Sequence, residues 1–520
     1  MNENRAVVKG YPVARHGAGR SALWRAVQTV FSTPPRTLQQ AVAPGPTGNP
    51  TSGLAGAYAT VTGDRGDRHT PDVAVVGAGL AGLVAAYFLK QAGCPVTVYE
   101  ASARVGGRVH TDAGGLESGV ISELGGEFID STHLDMLALA AHFGMPLIDT
   151  HGPAETGLID AYFIGGHHYS EADVAREFAD IAPLLAADVD AAELASGVNH
   201  ERHNAHAVAL DRLSMSEYLD RLGVSGWLRR LIDVAYLTEY GLETGEQSSL
   251  NLLTLIGTDT SADFAVFGDS DQRYKILGGN EQIPQALARE LDSCIRPEHR
   301  LVRIRRDAHG VRLTFDTAGA AHEVKADAIV LALPFTLLRG VDLGDTLPPS
   351  KMLAIRELGY GHNAKLLIGT HCRVWREQGF GGDLYTDLPI QTGWDGSRLR
   401  VGKRGVYTFF LGGDAGTALG QGTAEEHANR FAVHLDSVFP GVVAQRTGSV
   451  ARVHWPSEPY ALGSYSCYRP GQWTTLGGLQ QRRVGPVFFA GEHCSAEFQG
   501  YMNGAAQTGR EAAAALLASF

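Results

Sequence analysis

The stretch Val73-Ala-Val-Val-Gly77-Ala-Gly79-Leu-Ala-Gly82 constrains this chain more than any other. Its apolar run predicts a strand over 73–76, and Leu80–Gln91 reads as a helix. Val96–Tyr99 reads as the next strand, and Glu100 follows it directly. This is the order of a βαβ unit that binds a dinucleotide. Gly77 permits the tight turn, Gly79 lets backbone approach a pyrophosphate, and Gly82 lets helix and strand pack closely. The helix N-terminus offers free N–H groups to phosphate, and Glu100 can accept ribose hydroxyls. A glycine-rich turn without a ligand is the bland alternative. The strand, helix and acid in the right order argue against it.

A second glycine turn follows, Glu100-Ala-Ser-Ala-Arg104-Val-Gly-Gly107-Arg108, and it carries two arginines. Arginine forks suit a pyrophosphate or a ribose. Further on come Glu123-Leu-Gly-Gly-Glu127-Phe-Ile, Lys275-Ile-Leu-Gly-Gly-Asn280, and Phe489-Ala-Gly491-Glu492-His with Gly500-Tyr501-Met502-Asn-Gly504-Ala505. On these motifs, which span about 72–510, the chain resembles the flavin amine oxidase family of monoamine, polyamine and L-amino-acid oxidases. The resemblance implies FAD, with Glu100 at the adenosine ribose and Arg108 at the pyrophosphate side. It places a backbone group of Val302 at the adenine, and Glu492 and Met502 along the ribityl and flavin region. The last helix would point its N-terminus at the flavin ring, where reduction adds negative charge. Ser102 stands where several relatives have a further arginine.

The same resemblance picks out a reactive constellation. Lys365, in Gly361-His-Asn-Ala-Lys365-Leu-Leu-Ile, matches the lysine that holds a water at flavin N5. A lysine inside an apolar strand is costly without a partner, which itself suggests use. Tyr465 and Tyr501 match the aromatic pair that sandwiches the substrate amine, and Trp455 would pack near the flavin edge. Ser464 stands where monoamine oxidases carry the cysteine that bonds the flavin, so FAD is expected to be non-covalent. Cys467, three residues on, would face the other way along a strand. The implied reaction passes a hydride equivalent from the carbon bearing nitrogen to the flavin. The imine then hydrolyses, and molecular oxygen reoxidises the flavin to give hydrogen peroxide.

The substrate is less legible. Thr238-Glu-Tyr-Gly-Leu-Glu and Glu246-Gln-Ser-Ser-Leu-Asn251 look more like bacterial L-amino-acid oxidases, whereas Gly500-Tyr-Met-Asn-Gly504 is the amine-oxidase form. Many amino-acid oxidases place a carboxylate-binding arginine just after the glycine pair at 125–126; here Glu127-Phe128 occupies that place. The expectation is an L-α-amino acid with a large aromatic or cationic side chain, received near Trp227. A monoamine or polyamine is the alternative. An FAD-dependent desaturase or a non-catalytic flavoprotein stands behind both.

Composition narrows the rest. The net charge of −12 argues against nucleic acid, which needs a basic face. Gly accounts for 64 of 520 residues, an excess over the usual ~7% that fits many tight turns. No apolar run approaches a membrane span. Five scattered cysteines without a Cys-x-x-Cys favour a reducing compartment, so the chain reads as cytoplasmic. His493 and Cys494 are adjacent without metal-ligand spacing, and no metal is expected.

Residues 1–70 form a basic arm and linker with eight basic and three acidic residues, a net +5 that leaves −17 for the rest. Leu23, Val27, Val30 and Phe31 fall on one helical face, suited to docking on the acidic body or at a homo-oligomer contact. The expected fold is α/β. A Rossmann-like FAD-binding domain (71–150, 267–345 and 455–520) is interleaved with an α+β substrate domain (151–266 and 346–454). The last stretch of the first domain holds a strand at 487–490 and a helix over 502–517. Residues 151–266 read as largely helical.

Overall fold

The computed structural model describes residues 70–258, 265–307, 310–400 and 402–520. The amphipathic stretch of the N-terminal arm lies outside them.

A short run such as Val73-Ala-Val-Val, apolar on both faces, suits a parallel sheet covered on both sides. Val73–Val76 is the central strand of such a five-stranded sheet. The order is Val487–Phe489, Ala328–Leu331, Val73–Val76, Val96–Tyr99 and Ile295–Arg296, all parallel. Side chains alternate between two cores, as strand geometry requires. Val73 and Val75 face Leu83, Val84, Ala513 and Leu516, which belong to the helices Leu80–Gln91 and Met502–Leu517. Ala74 and Val76 face Leu313 and Phe315 of a three-stranded antiparallel sheet. The two helices cross closely at Gly509, where a Cβ would come within 2.4 Å of the Ala81 carbonyl oxygen.

The second main element is a seven-stranded mixed sheet. Its order is Arg446–His454, Ala364–Thr370, Gly405–Leu411, Thr392–Asp395, Phe380–Thr386, Ile159–Ile164 and His167–Tyr169. Residues 151–266 are therefore not wholly helical. Ile159–Ile164 pairs in parallel with Phe380–Thr386, a partner more than 200 residues away that local periodicity cannot show. Helices were expected there over 216–222 and 227–236; the observed ones are Met215–Arg221 and Gly226–Tyr240.

Strand Ala364–Thr370 decides where Lys365 points. Leu366 and Ile368 enter the core under helix Ala424–Val438. Leu367 packs on Val120, so Lys365, two residues earlier, faces the 120–130 segment. Among the described residues no helix is long and apolar enough to cross a membrane.

Candidate active site

One cavity of about 520 Å³ runs from the glycine turn to the seven-stranded sheet. Of the sequence-expected residues, Gly77, Gly79, Glu100, Arg104, Gly107, Arg108, Lys365, Trp455, Tyr465, Gly491, Glu492, Tyr501 and Met502 line it. Gly82 does not. It packs helix against turn, and a Cβ there would lie 1.9 Å from the Gly77 carbonyl oxygen. Val302, expected at the adenine, is not among the residues that line this cavity. It sits at an irregularity in strand Arg300–Asp307, and its carbonyl accepts the Asp342 N–H at 3.0 Å.

The glycine end is built of bare backbone. Gly77 has φ +102°, a conformation that favours glycine, and a Cβ would meet the Ala332 oxygen at 2.7 Å. Above Gly79 the nearest heavy atom to a Cβ position is Gly107 Cα at 4.0 Å, so its backbone faces open cavity. Glu100 Oε2 accepts the Ala78 N–H at 2.7 Å, and Oε1 accepts from Ser102 N and Oγ at 2.9 and 2.8 Å. Ser102 thus orients Glu100 rather than offering an arginine's charge. An acid held at the turn, beside exposed glycine backbone, fits the ribose and pyrophosphate of a dinucleotide. Arg104 braces the turn: it donates to the Val105 and Val109 carbonyls at 3.0 and 3.2 Å and to the Gly107 carbonyl. Arg108 pairs with Glu492 at 3.0 Å and donates to the Ser464 carbonyl. Burial raises the Glu492 carboxyl, but Arg108 and Ser466 outweigh it and hold it below the usual range.

At the other end Tyr465 and Tyr501 are fixed through their hydroxyls to one helix terminus. Tyr465 donates to the Thr238 carbonyl at 3.2 Å, and Tyr501 to Glu239 Oε1 at 2.9 Å. Gly500 leaves room beside the Tyr465 ring, which lies 3.8 Å from its Cβ position. Trp394, Phe410, Thr392 and Tyr385 complete this end. Ser464 Oγ donates to Asn363 Oδ1 at 2.6 Å. Cys467 is fully buried against Asn251 and does not line the cavity. Trp227, expected near the substrate, stacks on Tyr169 at 4.0 Å outside it. His493 is buried against Phe335, and burial depresses its imidazole to about 4, so it is neutral near pH 7.

Sequence reasoning missed the partner of Lys365. Its ammonium donates to Glu127 Oε2 at 2.8 Å and to the carbonyls of Gly125 and Glu123 at 2.9 and 3.1 Å. All three N–H groups are thereby used, so a water would have to displace one of these acceptors. Glu127 Oε1 accepts from Lys275 Nζ at 2.6 Å. Glu239, at the tyrosine end, was also missed. The signal for both was present as charge inside apolar runs.

Burial pushes Glu127 up, but Lys275 and Lys365 outweigh it and bring it from the usual 4.5 to about 2. A carboxyl lowered in this way adds stability above its ordinary pKa and loses it as pH falls through the folded value. Unfolding free energy should therefore fall between about pH 5 and about pH 2, by on the order of 3 kcal/mol more in the wild type than in Glu127→Gln. Equal slopes in urea titrations across that range would show that the two lysines do not hold Glu127 ionised.

Comparison with known proteins identifies the family. The family model for flavin containing amine oxidoreductases matches residues 80–517. An L-amino acid dehydrogenase of Synechocystis is 28% identical over 465 residues, covering 86% of this chain and 94% of its own. A flavin-containing amine oxidase of Oncorhynchus mykiss is 27% identical over 460 residues, covering 86% of this chain and 85% of its own. The structure of cyclohexylamine oxidase from Brevibacterium oxydans superimposes with a TM-score of 0.75 at 24% identity, covering 87% of this chain and 99% of that one. The glycine turn, the paired tyrosines and the match over most of its length make this chain a member of the flavin-containing amine oxidoreductase family.

Proposed function

We propose that this protein binds FAD without a covalent bond and oxidises a small amine lacking an α-carboxylate, with molecular oxygen as acceptor. Held at Glu100 and the glycine turn, FAD would supply two-electron oxidation of the carbon–hydrogen bond beside the amine nitrogen and reoxidation by oxygen to hydrogen peroxide, the imine being hydrolysed by water. In this reading 71–150, 267–345 and 455–520 hold the cofactor, and 151–266 with 346–454 supply the substrate side. The composition of the two large sheets supports that division.

The chain's own residues do the rest. Tyr465 and Tyr501, each fixed through its hydroxyl, present their rings to the amine, and ring faces favour a polarised nitrogen. Trp455 packs at the edge of the same space. Glu239 sets a carboxyl group beside Tyr501, which suits a cationic substrate on entry. Met502 opens the helix whose N-terminus faces the cavity and favours negative charge there.

The observation that carries the absence of a carboxylate is the fate of the cations. Among the described residues, Arg104, Arg108 and Lys365 are the lysines and arginines lining the cavity. Arg104 is spent on turn carbonyls, Arg108 on Glu492, and Lys365 on Glu127. A substrate carboxylate entering a desolvated pocket needs a cation or several donors. An L-α-amino acid, the expectation from sequence, is the second reading. The Synechocystis relative, named an L-amino acid dehydrogenase, is as similar as the amine oxidase and favours it.

Two measurements test these readings. Because Ser464 cannot form a thioether and Cys467 is turned away, acid precipitation should leave the yellow colour in the supernatant. A yellow pellet with a flavin-bearing peptide would overturn non-covalent binding. Peroxide release should be compared for agmatine with arginine and for tryptamine with tryptophan. The decarboxylated partner should have the higher kcat/KM in each pair, by about tenfold or more, or ~1.4 kcal/mol. The reverse order in both pairs would establish the amino-acid reading instead.

A further inference from the structure

Two lysines sharing one buried carboxylate are unusual, because each ion loses its hydration and needs full compensation. The Glu127 side chain is 3% exposed and those of Lys275 and Lys365 are 8% and 4%. Lys365 lines the cavity, whereas Lys275 does not. Lys275 projects from strand Tyr274–Ile276, which pairs with Leu147–Asp149, and reaches Glu127 from the side away from Lys365. Its ammonium sits 4.8 Å from the Phe128 ring centre, and that of Lys365 sits 5.2 Å from Trp394. Phe128 and Trp394 meet edge to face at 5.4 Å and wall the pair from water. The nearby Glu123 carboxyl is turned to Thr111 and the Asn280 N–H rather than to either lysine, and burial pushes it up to about 7, so below that pH it adds little charge beside Lys275 and Glu127.

We propose that Lys275, Glu127 and Lys365 form a fixed charge unit of net +1 that sets the reduction potential of the bound flavin, with Lys275 as its positioning residue. Lys275 holds Glu127, Glu127 holds Lys365, and the second ammonium keeps the unit positive where Lys365 and Glu127 alone would cancel. With all three Lys365 donors occupied, the unit acts on the cavity through its charge. A cofactor that gains electrons gains negative charge, and a fixed positive neighbour raises its potential.

The inference rests on the reading that this cavity takes the flavin. Wild-type protein that takes up no flavin would overturn that reading. Flavin bound with an unmoved potential would overturn this inference alone. The test is the midpoint potential of the bound flavin by dye-coupled reduction at about pH 6, where Glu123 is mostly protonated, with flavin content measured alongside. Lys275→Met leaves a neutral pair and should lower the potential. Lys275→Arg keeps the charge and should stay at the wild-type value. The double variant Glu127→Gln with Lys275→Met returns the unit to +1 and should bring the potential back towards wild type, although both native contacts are gone. A merely structural role predicts the opposite, with the double variant no better than the single. If Lys275→Met takes up no flavin, the double variant against wild type carries the test. The two should have the same potential, because Lys365 alone still supplies a charge of +1. A potential well below wild type in the double variant would overturn the proposal.

Discussion

A single carboxylate joins the main parts of this protein. Glu127 lies in the segment that follows strand Val120–Glu123, and it binds Lys275 on one side and Lys365 on the other. Lys365 comes from the seven-stranded sheet, so the ion group ties that sheet to the segment beside the glycine turn. The same segment is pressed from two further directions. A Cβ on Gly125 would fall 1.9 Å from the Arg108 carbonyl oxygen, and one on Gly126 would fall 2.8 Å from the Met502 sulfur. Asn280 donates to the Gly126 and Glu127 carbonyls at 3.0 and 2.7 Å, fixing the backbone. Gly125 is required because the backbone of the glycine turn leaves no room for a side chain, whereas a Cβ at Gly126 would have to displace the Met502 side chain. The charges are tolerated because each has its partner.

The parts legible in the sequence are those set by near neighbours. Val73–Val76, Leu80–Gln91, Val96–Tyr99 and Met502–Leu517 were readable because apolar period and glycine placement act within a few residues. Ile159–Ile164 was not, since its strand character comes from pairing with Phe380–Thr386 far along the chain. The surroundings of Val302 were not legible either: it sits at a strand irregularity, and its carbonyl accepts the Asp342 N–H. Trp227 shows a limit for composition. A large exposed-looking aromatic on a helix found Tyr169 rather than a substrate.

Lys365 lies between these cases. Its position inside an apolar strand told that it must have a partner. Which partner depended on Glu127 and on two carbonyls that only the fold brings near. That outcome changes the chemistry as well as the contact map. A lysine with its donors spent is a fixed charge, and the arginines at the glycine end are spent likewise. The tyrosine end is left with aromatic rings, hydroxyls tied down from behind, and the carboxylate of Glu239. That is the ground for the proposed amine substrate, since aromatic faces and a carboxylate attract a cationic or polarised nitrogen.

The account stands on one cavity serving both cofactor and amine. The most direct test is a crystal structure of the protein with FAD and a slowly oxidised amine lacking a carboxylate. The predicted result has the adenosine ribose on Glu100, the amine nitrogen between Tyr465 and Tyr501, and no bond between Ser464 and the flavin. FAD outside this cavity, or the amine bound away from the two tyrosines, would contradict it.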